Sequence, residues 1–230
     1  MRLIRLAAMA LSLLSGAVLS VAATRAVPGN WNAQVAVTPS GSHVLGNPAA
    51  ALKLSEYISY TCSHCANFDR EASDRLRING VAQGKLSVEV RHLVRDPIDM
   101  TAAMLTNCGP PSRFFANHTM FLRSQRQWLA TAGSATPAQQ SRWTSGTQKA
   151  RFQAIASDFG FYAIMEQRGY DRMTVERCLA DGNMAQKLAA QTSEAVRLGV
   201  DGTPAFLLNG ALLVGTHDWQ SLKAQLDAQM

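Results

Sequence analysis

Apolar and polar residues alternate along two stretches of the chain, and a stretch with helical spacing lies between them. Leu52–Ser59 and Leu86–Leu93 show the alternation that is typical of β-strands with one buried face. Between them, apolar residues such as Phe68 and Ala72 recur four positions apart, which predicts a helix over Cys65–Asn79. This order of elements predicts a β-α-β unit with two parallel strands.

The second half of the chain begins with a long helical block. Helical spacing continues from Pro97 to Gly182, and the predicted helices are Ile98–Asn107, Ser112–Trp128, Phe152–Phe161 and Thr174–Leu179. The segments predicted after this block are a helix over Asn183–Leu198, a strand over Gly202–Leu208, a hairpin turn at Asn209-Gly210, a strand over Ala211–Val214 and a helix over Trp219–Ala228.

These elements predict an α/β fold in which one sheet is built from a β-α-β half and a β-β-α half, with a helical insertion between them. The sheet domain is expected to comprise residues 51–96 and 183–230, and the insertion residues 97–182. Residues 27–50 are predicted to form a mostly irregular N-terminal arm, with one edge strand around Gln34–Thr38.

Residues 1–26 have the pattern of a secretory signal peptide. Arg2 and Arg5 precede an uncharged, largely apolar run of about 17 residues, and small residues follow as cleavage sites after Ala23 or Ala26. A single membrane anchor is the alternative, but the run is short for a bilayer span. Export to the periplasm is therefore expected, where disulfides form and persist.

Cleavage also changes the interpretation of the net charge. The formal charge is +6, but Arg2, Arg5 and Arg25 precede Val27, so cleavage after Ala26 leaves 19 basic and 16 acidic residues. No dense basic cluster with interleaved aromatic residues is present in the sequence, so nucleic acid is not an expected partner.

Two of the four cysteines, Cys62 and Cys65, lie in YTCSHC directly after the first predicted strand. At a helix start, free N–H groups and the helix dipole stabilise an anion, so Cys62 is predicted to be the nucleophile. Cys65 lies one helical turn away, and His64 can donate a hydrogen bond or a positive charge to the Cys62 thiolate. A static bridge and a metal site are the alternatives, although a metal site needs further ligands.

The segment from Glu56 to Cys65, followed by an amphipathic helix, resembles the active-site segment of the DsbA family of thioredoxin-fold disulfide oxidoreductases. Thr203-Pro204, which lies before a predicted strand, resembles the cis-proline loop of that family. The helical block resembles its helical insertion. The resemblance covers roughly Leu52 to Ala228, and it implies a thioredoxin fold.

The resemblance also implies a role for individual residues. Cys62 would form the mixed disulfide with the substrate, Cys65 would resolve it, and His64 would stabilise the thiolate. Thr203 would offer main-chain groups to a bound substrate beside a cis Pro204. Ser63 stands where the commonest family motif has proline, and this position tunes the redox potential.

A buried acid is a further feature that the resemblance implies. Glu56 would occupy this position and help to move the proton of the second cysteine, with Arg91 on the next strand as its candidate partner. The alternative is a carboxylate on a solvated strand face, since buried acids are rare without a partner.

The remaining cysteines, Cys108 and Cys178, lie at opposite ends of the helical block. An oxidising compartment favours a structural disulfide between them, and it would add about 4 kcal/mol in the chain-entropy model. Some members of the DsbA family carry such a second bridge. Two free buried thiols are the alternative.

The expected function is that of an exported oxidase that donates the Cys62–Cys65 disulfide to reduced or unfolded exported proteins, without a cofactor. A membrane redox partner is expected to reoxidise it. A disulfide isomerase or reductase on the same scaffold is the first alternative. The second is a non-catalytic copper carrier that uses Cys62, His64 and Cys65, since soft thiolates suit Cu(I).

Overall fold

The computed structural model of the protein describes residues 29–229, and the predicted signal peptide, residues 1–26, lies outside them. A sheet of six strands forms its centre. The strands are β1 (Val35–Val37), β2 (His43–Gly46), β3 (Leu52–Ile58), β4 (Leu86–His92), β5 (Ala205–Leu208) and β6 (Ala211–Leu212), in the spatial order β1-β2-β4-β3-β5-β6.

Helices flank this sheet and fill the segment that was predicted as the helical insertion. They are α1 (Ser63–Leu76), which continues as a π-helical turn over Arg77–Val81, α2 (Pro97–Thr106), α3 (Phe114–Arg123), α4 (Gln125–Ser134), α5 (Pro137–Thr144), α6 (Gln148–Asp158), α7 (Phe161–Gln167), α8 (Arg172–Leu179), α9 (Gly182–Arg197) and α10 (Trp219–Asp227). In the part of the chain that the structure describes, no helix combines the length and the hydropathy that a bilayer crossing requires.

The strand pairing confirms the predicted fold class. β3 and β4 are parallel, as a β-α-β unit requires, while β5 pairs antiparallel with both β3 and β6. The turn between β5 and β6 places Asn209 and Gly210 at positive φ, which is the geometry that a two-residue hairpin needs. The predicted strand over Ala211–Val214 is shorter in the structure, since β6 ends at Leu212.

The N-terminal segment contributes more to the sheet than the sequence predicted. β1 matches the edge strand expected around Gln34–Thr38, but β2 was not predicted. β2 pairs antiparallel with β4 on one side and with β1 on the other. Because β2 is only four residues long and contains His43 and Gly46, its pattern resembles that of a loop.

Two predicted helices are divided in the structure. The helix expected over Ser112–Trp128 breaks at Ser124, whose hydroxyl donates to the Met120 carbonyl (2.6 Å). The helix expected over Phe152–Phe161 ends before Gly160, whose positive φ of 70° begins the next helix in a new direction. Both breaks let aromatic side chains of the insertion meet in one core.

The two faces of the sheet are covered by different helices. α1 packs on one face, where Phe68 contacts Phe206 of β5 with ring centroids 4.7 Å apart. Tyr57 and Ala195 belong to a separate small apolar cluster, on the face covered by α9. Neighbouring residues of a strand point to opposite faces, so Glu56 and Tyr57 lie in different environments.

Candidate active site

Cys62 lies between β3 and α1, at the start of the helix. The strand ends at Ile58, a short turn follows, and Cys62 is the N-cap of α1 with an extended backbone (φ −90°, ψ 118°). Its side chain is 5% exposed, while Cys65, one turn further along α1, is fully buried. Both thiols are free, so the structure describes the dithiol form.

The two thiols differ in acidity. The pKa of Cys62 falls from 9.0 to about 4, mainly because the Cys65 thiol donates a hydrogen bond to its sulfur. The Thr203 side chain and the main-chain N–H groups of Cys65 and His64 add to this effect and together outweigh the cost of burial. Burial raises the pKa of Cys65 well above its ordinary value, so this thiol keeps its proton.

The loop that contains Thr203 and Pro204 lies against Cys62. The Cys62 thiol donates to the Thr203 carbonyl at 3.1 Å, although the two residues are 141 positions apart. This carbonyl can only accept, so the contact favours the protonated thiol and opposes the donors that lower the pKa. The Thr203–Pro204 peptide bond is cis.

Ser63 and His64, between the two cysteines, are exposed to solvent. The main-chain N–H of His64 reaches the Cys62 sulfur, whereas its ring makes no hydrogen bond with residues 29–229. The predicted role of the His64 ring therefore remains a prediction.

Comparison with known proteins identifies the family. The family model described as Thioredoxin matches residues 38–228, most of the chain. The chain belongs to the thioredoxin family. Its predicted resemblance to the DsbA-like members is also confirmed.

Solved structures of similar proteins agree with this family assignment. A crystal structure of protein-disulfide isomerase from Novosphingobium aromaticivorans is 54% identical in sequence, with a TM-score of 0.79, and the match covers 82% of this chain and 97% of that one. Wolbachia pipientis alpha-DsbA1 has a TM-score of 0.65 at 20% identity, over 84% of this chain and 92% of that one, which indicates a shared fold.

The curated relatives are longer than this thioredoxin-family chain. A protein of Rickettsia felis, provisionally named a protein-disulfide oxidoreductase, is 24% identical over 186 residues. The match covers 80% of this chain but only 58% of the relative's length.

Glu56 of the thioredoxin-family chain is buried, at 5% exposure, and lies close enough to Cys65 to contribute to the raised pKa of that thiol. Burial, together with the charge of Asp69, raises the pKa of Glu56 from 4.5 to about 8. The side chain borders a small cavity of about 30 Å³, which it shares with Ser73, His118 and Thr119 and which has room for a water molecule or two. The alternative of a solvated strand face is therefore wrong.

Arg91 is not the partner of Glu56, and that prediction is also wrong. The strand register places Arg91 opposite Tyr57, so its side chain emerges on the other face of the sheet. There it forms salt bridges with Glu89 (2.9 Å) and Glu194 (3.1 Å) and donates to the Tyr57 hydroxyl. These contacts hold its guanidinium group on that face, away from Glu56.

Sequence reasoning missed the residues that hold the turn before Cys62. Gln125, the first residue of α4, donates from Nε2 to the carbonyls of Tyr60 (2.7 Å) and Cys62 (2.8 Å). Asp99, in the first turn of α2, accepts from the Tyr60 N–H (2.7 Å) and the Ser59 hydroxyl (2.6 Å). The insertion therefore binds the redox turn through both polar groups of the Tyr60 backbone.

Further side chains of the thioredoxin-family chain bind this turn and the Thr203-Pro204 loop beside it. His118 of α3 hydrogen-bonds the Tyr60 hydroxyl through Nδ1 (2.9 Å), and Asp96 accepts from the Thr61 hydroxyl (2.7 Å). On the other side of Cys62, His217 Nδ1 donates to the Pro204 carbonyl (2.9 Å). None of these residues lies in a recognisable motif, so the sequence carried no local signal for them.

Cys108 and Cys178 form a disulfide in the structure, with Cα atoms 5.6 Å apart. The bond connects the end of α2 with α8 across the insertion. Within residues 29–229, no three histidine, cysteine or acidic side chains are grouped as a metal site would require.

Proposed function

We propose that this chain is an exported protein thiol-disulfide oxidoreductase that oxidises reduced proteins with its Cys62–Cys65 disulfide. The observation that carries the proposal is the 3.1 Å contact between Cys62 Sγ and the Thr203 carbonyl. The contact supports the proposal because the Cys62 sulfur lies beside a loop whose main chain can pair with an extended substrate chain.

The reaction balances without a cofactor. A substrate thiolate attacks Cys62 Sγ of the enzyme disulfide, the Cys62–Cys65 bond breaks, and Cys65 leaves as a thiolate that takes up a proton. A second substrate thiol then loses its proton and attacks the mixed disulfide, and Cys62 leaves as a thiolate. Two substrate thiols become one disulfide, while the enzyme gains two electrons and becomes the dithiol.

The acidity of Cys62 supports the oxidising direction. A Cys62 pKa of about 4 means that this sulfur is a stable thiolate and a good leaving group at neutral pH. A stabilised dithiol form makes the disulfide form a stronger oxidant. The enzyme must then be reoxidised by an acceptor of two electrons, and we propose that a membrane protein supplies this step.

Glu56 is proposed to act on the second sulfur. Cys65 leaves as a thiolate in a buried site, and Glu56 with a pKa near 8 still carries a proton at neutral pH. A neutral carboxylic acid near Cys65 can supply that proton and avoids a pair of buried like charges.

The second candidate is a disulfide isomerase on the same scaffold. The solved structure that is 54% identical in sequence is named a protein-disulfide isomerase, which favours this reading. An isomerase attacks wrong disulfides with a reduced Cys62, so a lowered Cys62 pKa suits it as well. The redox potential separates the two functions: a value near DsbA's, about −120 mV, supports the oxidase, and one near thioredoxin's, about −270 mV, supports a reducing enzyme.

The decisive experiment is oxidative refolding of a reduced, unfolded disulfide protein with the oxidised enzyme and with Cys62→Ser. We expect refolding to depend stoichiometrically on the wild-type enzyme and to stay at the uncatalysed rate with the variant. Equal rates for the two proteins would refute the proposed function. Recovery of a scrambled substrate with the reduced enzyme alone would favour the isomerase instead.

A further inference from the structure

A pocket of about 330 Å³ opens between α1 and α4 beside the redox site. Ser63, Asn67 and Arg70 line it from α1, and Gln125, Arg126 and Leu129 line it from α4. The pocket is large enough for one amino-acid side chain, and it is open to solvent.

The position of the pocket connects it to Cys62 in two ways. Ser63 follows Cys62 directly in the sequence, and Gln125 donates to the Cys62 carbonyl at 2.8 Å. An extended chain advances about 3.3 Å per residue. A substrate cysteine at Cys62 would therefore bring a side chain one or two positions away to the mouth of this pocket.

The charge of the pocket is positive and uncompensated. Arg70 and Arg126 are both exposed, one on each helix, and neither forms a salt bridge with an acidic residue in the described part of the chain. Arg70 donates only to the Asn67 side chain. The nearby Arg123 differs, because it is bound to Asp69 (3.0 Å) and Asp74 (3.2 Å).

These charges suit a carboxylate. Arginine binds a carboxylate with two parallel hydrogen bonds, and two guanidinium groups can hold one carboxylate between them. No acidic residue lines the pocket, so an incoming acid meets no like charge there.

We propose that this pocket is a substrate subsite for an Asp or Glu side chain that lies one or two positions from the substrate cysteine. This inference rests on the proposed function, since it concerns the substrate of the same redox site. The pocket would favour the oxidation of cysteines in acidic segments.

The test uses three amidated dithiol peptides that are identical except next to the first cysteine. One peptide carries Asp there, the second carries Asn and the third carries Lys. The rate of peptide oxidation by the oxidised enzyme gives kcat/KM for each peptide. We expect the Asp peptide to exceed the Asn peptide by about 3- to 10-fold at low salt, as two partly exposed ion pairs would give, and the Lys peptide to fall below both. The ratio should approach one at high salt.

The variant Arg70→Gln/Arg126→Gln should lose this ratio. The matched control is Lys187→Gln/Arg197→Gln, which removes the same two charges from exposed positions of α9 and should keep the ratio. Because the ratio compares two peptides on one protein, a general loss of folded enzyme does not change it.

The outcomes distinguish a failure of the proposed subsite from a failure of the proposed function. Oxidation of all peptides at equal rates by the wild type, or an unchanged ratio in the double arginine variant, would overturn the subsite and leave the proposed function intact. No oxidation of any peptide would overturn the proposed function, and the subsite with it.

Discussion

At the scale of single residues, two chemically identical thiols one helical turn apart acquire opposite acidities. Cys62 is at the N-cap of α1, where donors converge on its sulfur, and its pKa falls to about 4. For Cys65, burial and the neighbouring Cys62 raise the pKa of the thiol, and they outweigh the hydrogen bond from the Ser59 main chain. The difference makes Cys65 the sulfur that takes up a proton and Cys62 the sulfur that leaves as a stable thiolate, which is the order that the proposed reaction needs.

Glu56 gives a prediction about stability and pH. Its pKa is about 8 in the folded protein against an ordinary 4.5, so the folded state holds a proton that the unfolded state releases between these values. The stabilising effect is complete below about pH 4.5 and is lost as the pH rises through 8. Glu56→Gln cannot ionise, so the variant should gain stability relative to the wild type as the pH rises, by about 1.4 kcal/mol for each unit of pKa difference.

Urea unfolding gives the free energy of unfolding of variant and wild type at about pH 5 and about pH 9. The difference between the two proteins should be larger in favour of the variant at the higher pH. Glu71→Gln, which removes an exposed carboxyl group from α1, is the matched control. A constant difference between Glu56→Gln and the wild type across this range would contradict the raised pKa.

At the scale of elements, the turn from Ser59 to Cys62 is held by the insertion rather than by the sheet. α2 supplies Asp99, α3 supplies His118 and α4 supplies Gln125, and all three bind Tyr60. The geometry of the redox turn therefore depends on how helices of the insertion pack against the sheet domain.

Gln125→Ala tests this dependence. The change leaves the buried carbonyls of Tyr60 and Cys62 without the donors of Gln125, and we expect a loss of about 1–3 kcal/mol in the free energy of unfolding. The Cys62 carbonyl would keep only the Ala66 N–H as a donor, and its less compensated dipole should also raise the pKa of the Cys62 thiol, because it repels the thiolate. Thiolate absorbance against pH measures this shift in the reduced protein.

The matched control for that variant is Gln127→Ala, which removes an exposed glutamine from the same helix. It should leave both the stability and the Cys62 pKa near the wild-type values. A Gln125→Ala protein with reduced stability but an unchanged Cys62 pKa would show that Gln125 supports the fold without tuning the thiol.

At the scale of the whole molecule, the Cys108–Cys178 disulfide joins two distant parts of the insertion. The bond closes a chain segment with a separation of 70 residues. A crosslink of this length restricts the unfolded chain and leaves the redox site, which is built on other residues, untouched.

Cys108→Ala/Cys178→Ala should therefore lower the free energy of unfolding by about 4 kcal/mol while folded variant protein still oxidises substrate. Denaturant unfolding gives the first value, and the peptide oxidation rate gives the second. A thiol count on the denatured, unreduced wild type is the control, and it should find these two thiols oxidised. Equal stability of variant and wild type would contradict a structural role for the bond.

The sequence by itself predicted the features that depend on local patterns. The β-α-β order, the CxxC motif at a helix start and the Asn209-Gly210 hairpin each follow from spacing or turn chemistry within about ten residues. The α/β fold class could be predicted for the same reason, since each element carries its own periodicity. The resemblance of the region from Glu56 to Cys65 then supplied the family.

Only the tertiary structure decided which distant groups meet. It brought Thr203 to Cys62, placed Arg91 on the opposite face from Glu56, added β2 to the sheet and positioned Gln125 over the redox turn. These contacts depend on strand register and helix packing, and a change of one residue in register reverses the face of every side chain in a strand. For that reason the reactive residues and the donors at the start of α1 could be located in the sequence, but the distant groups that hold them in position could not.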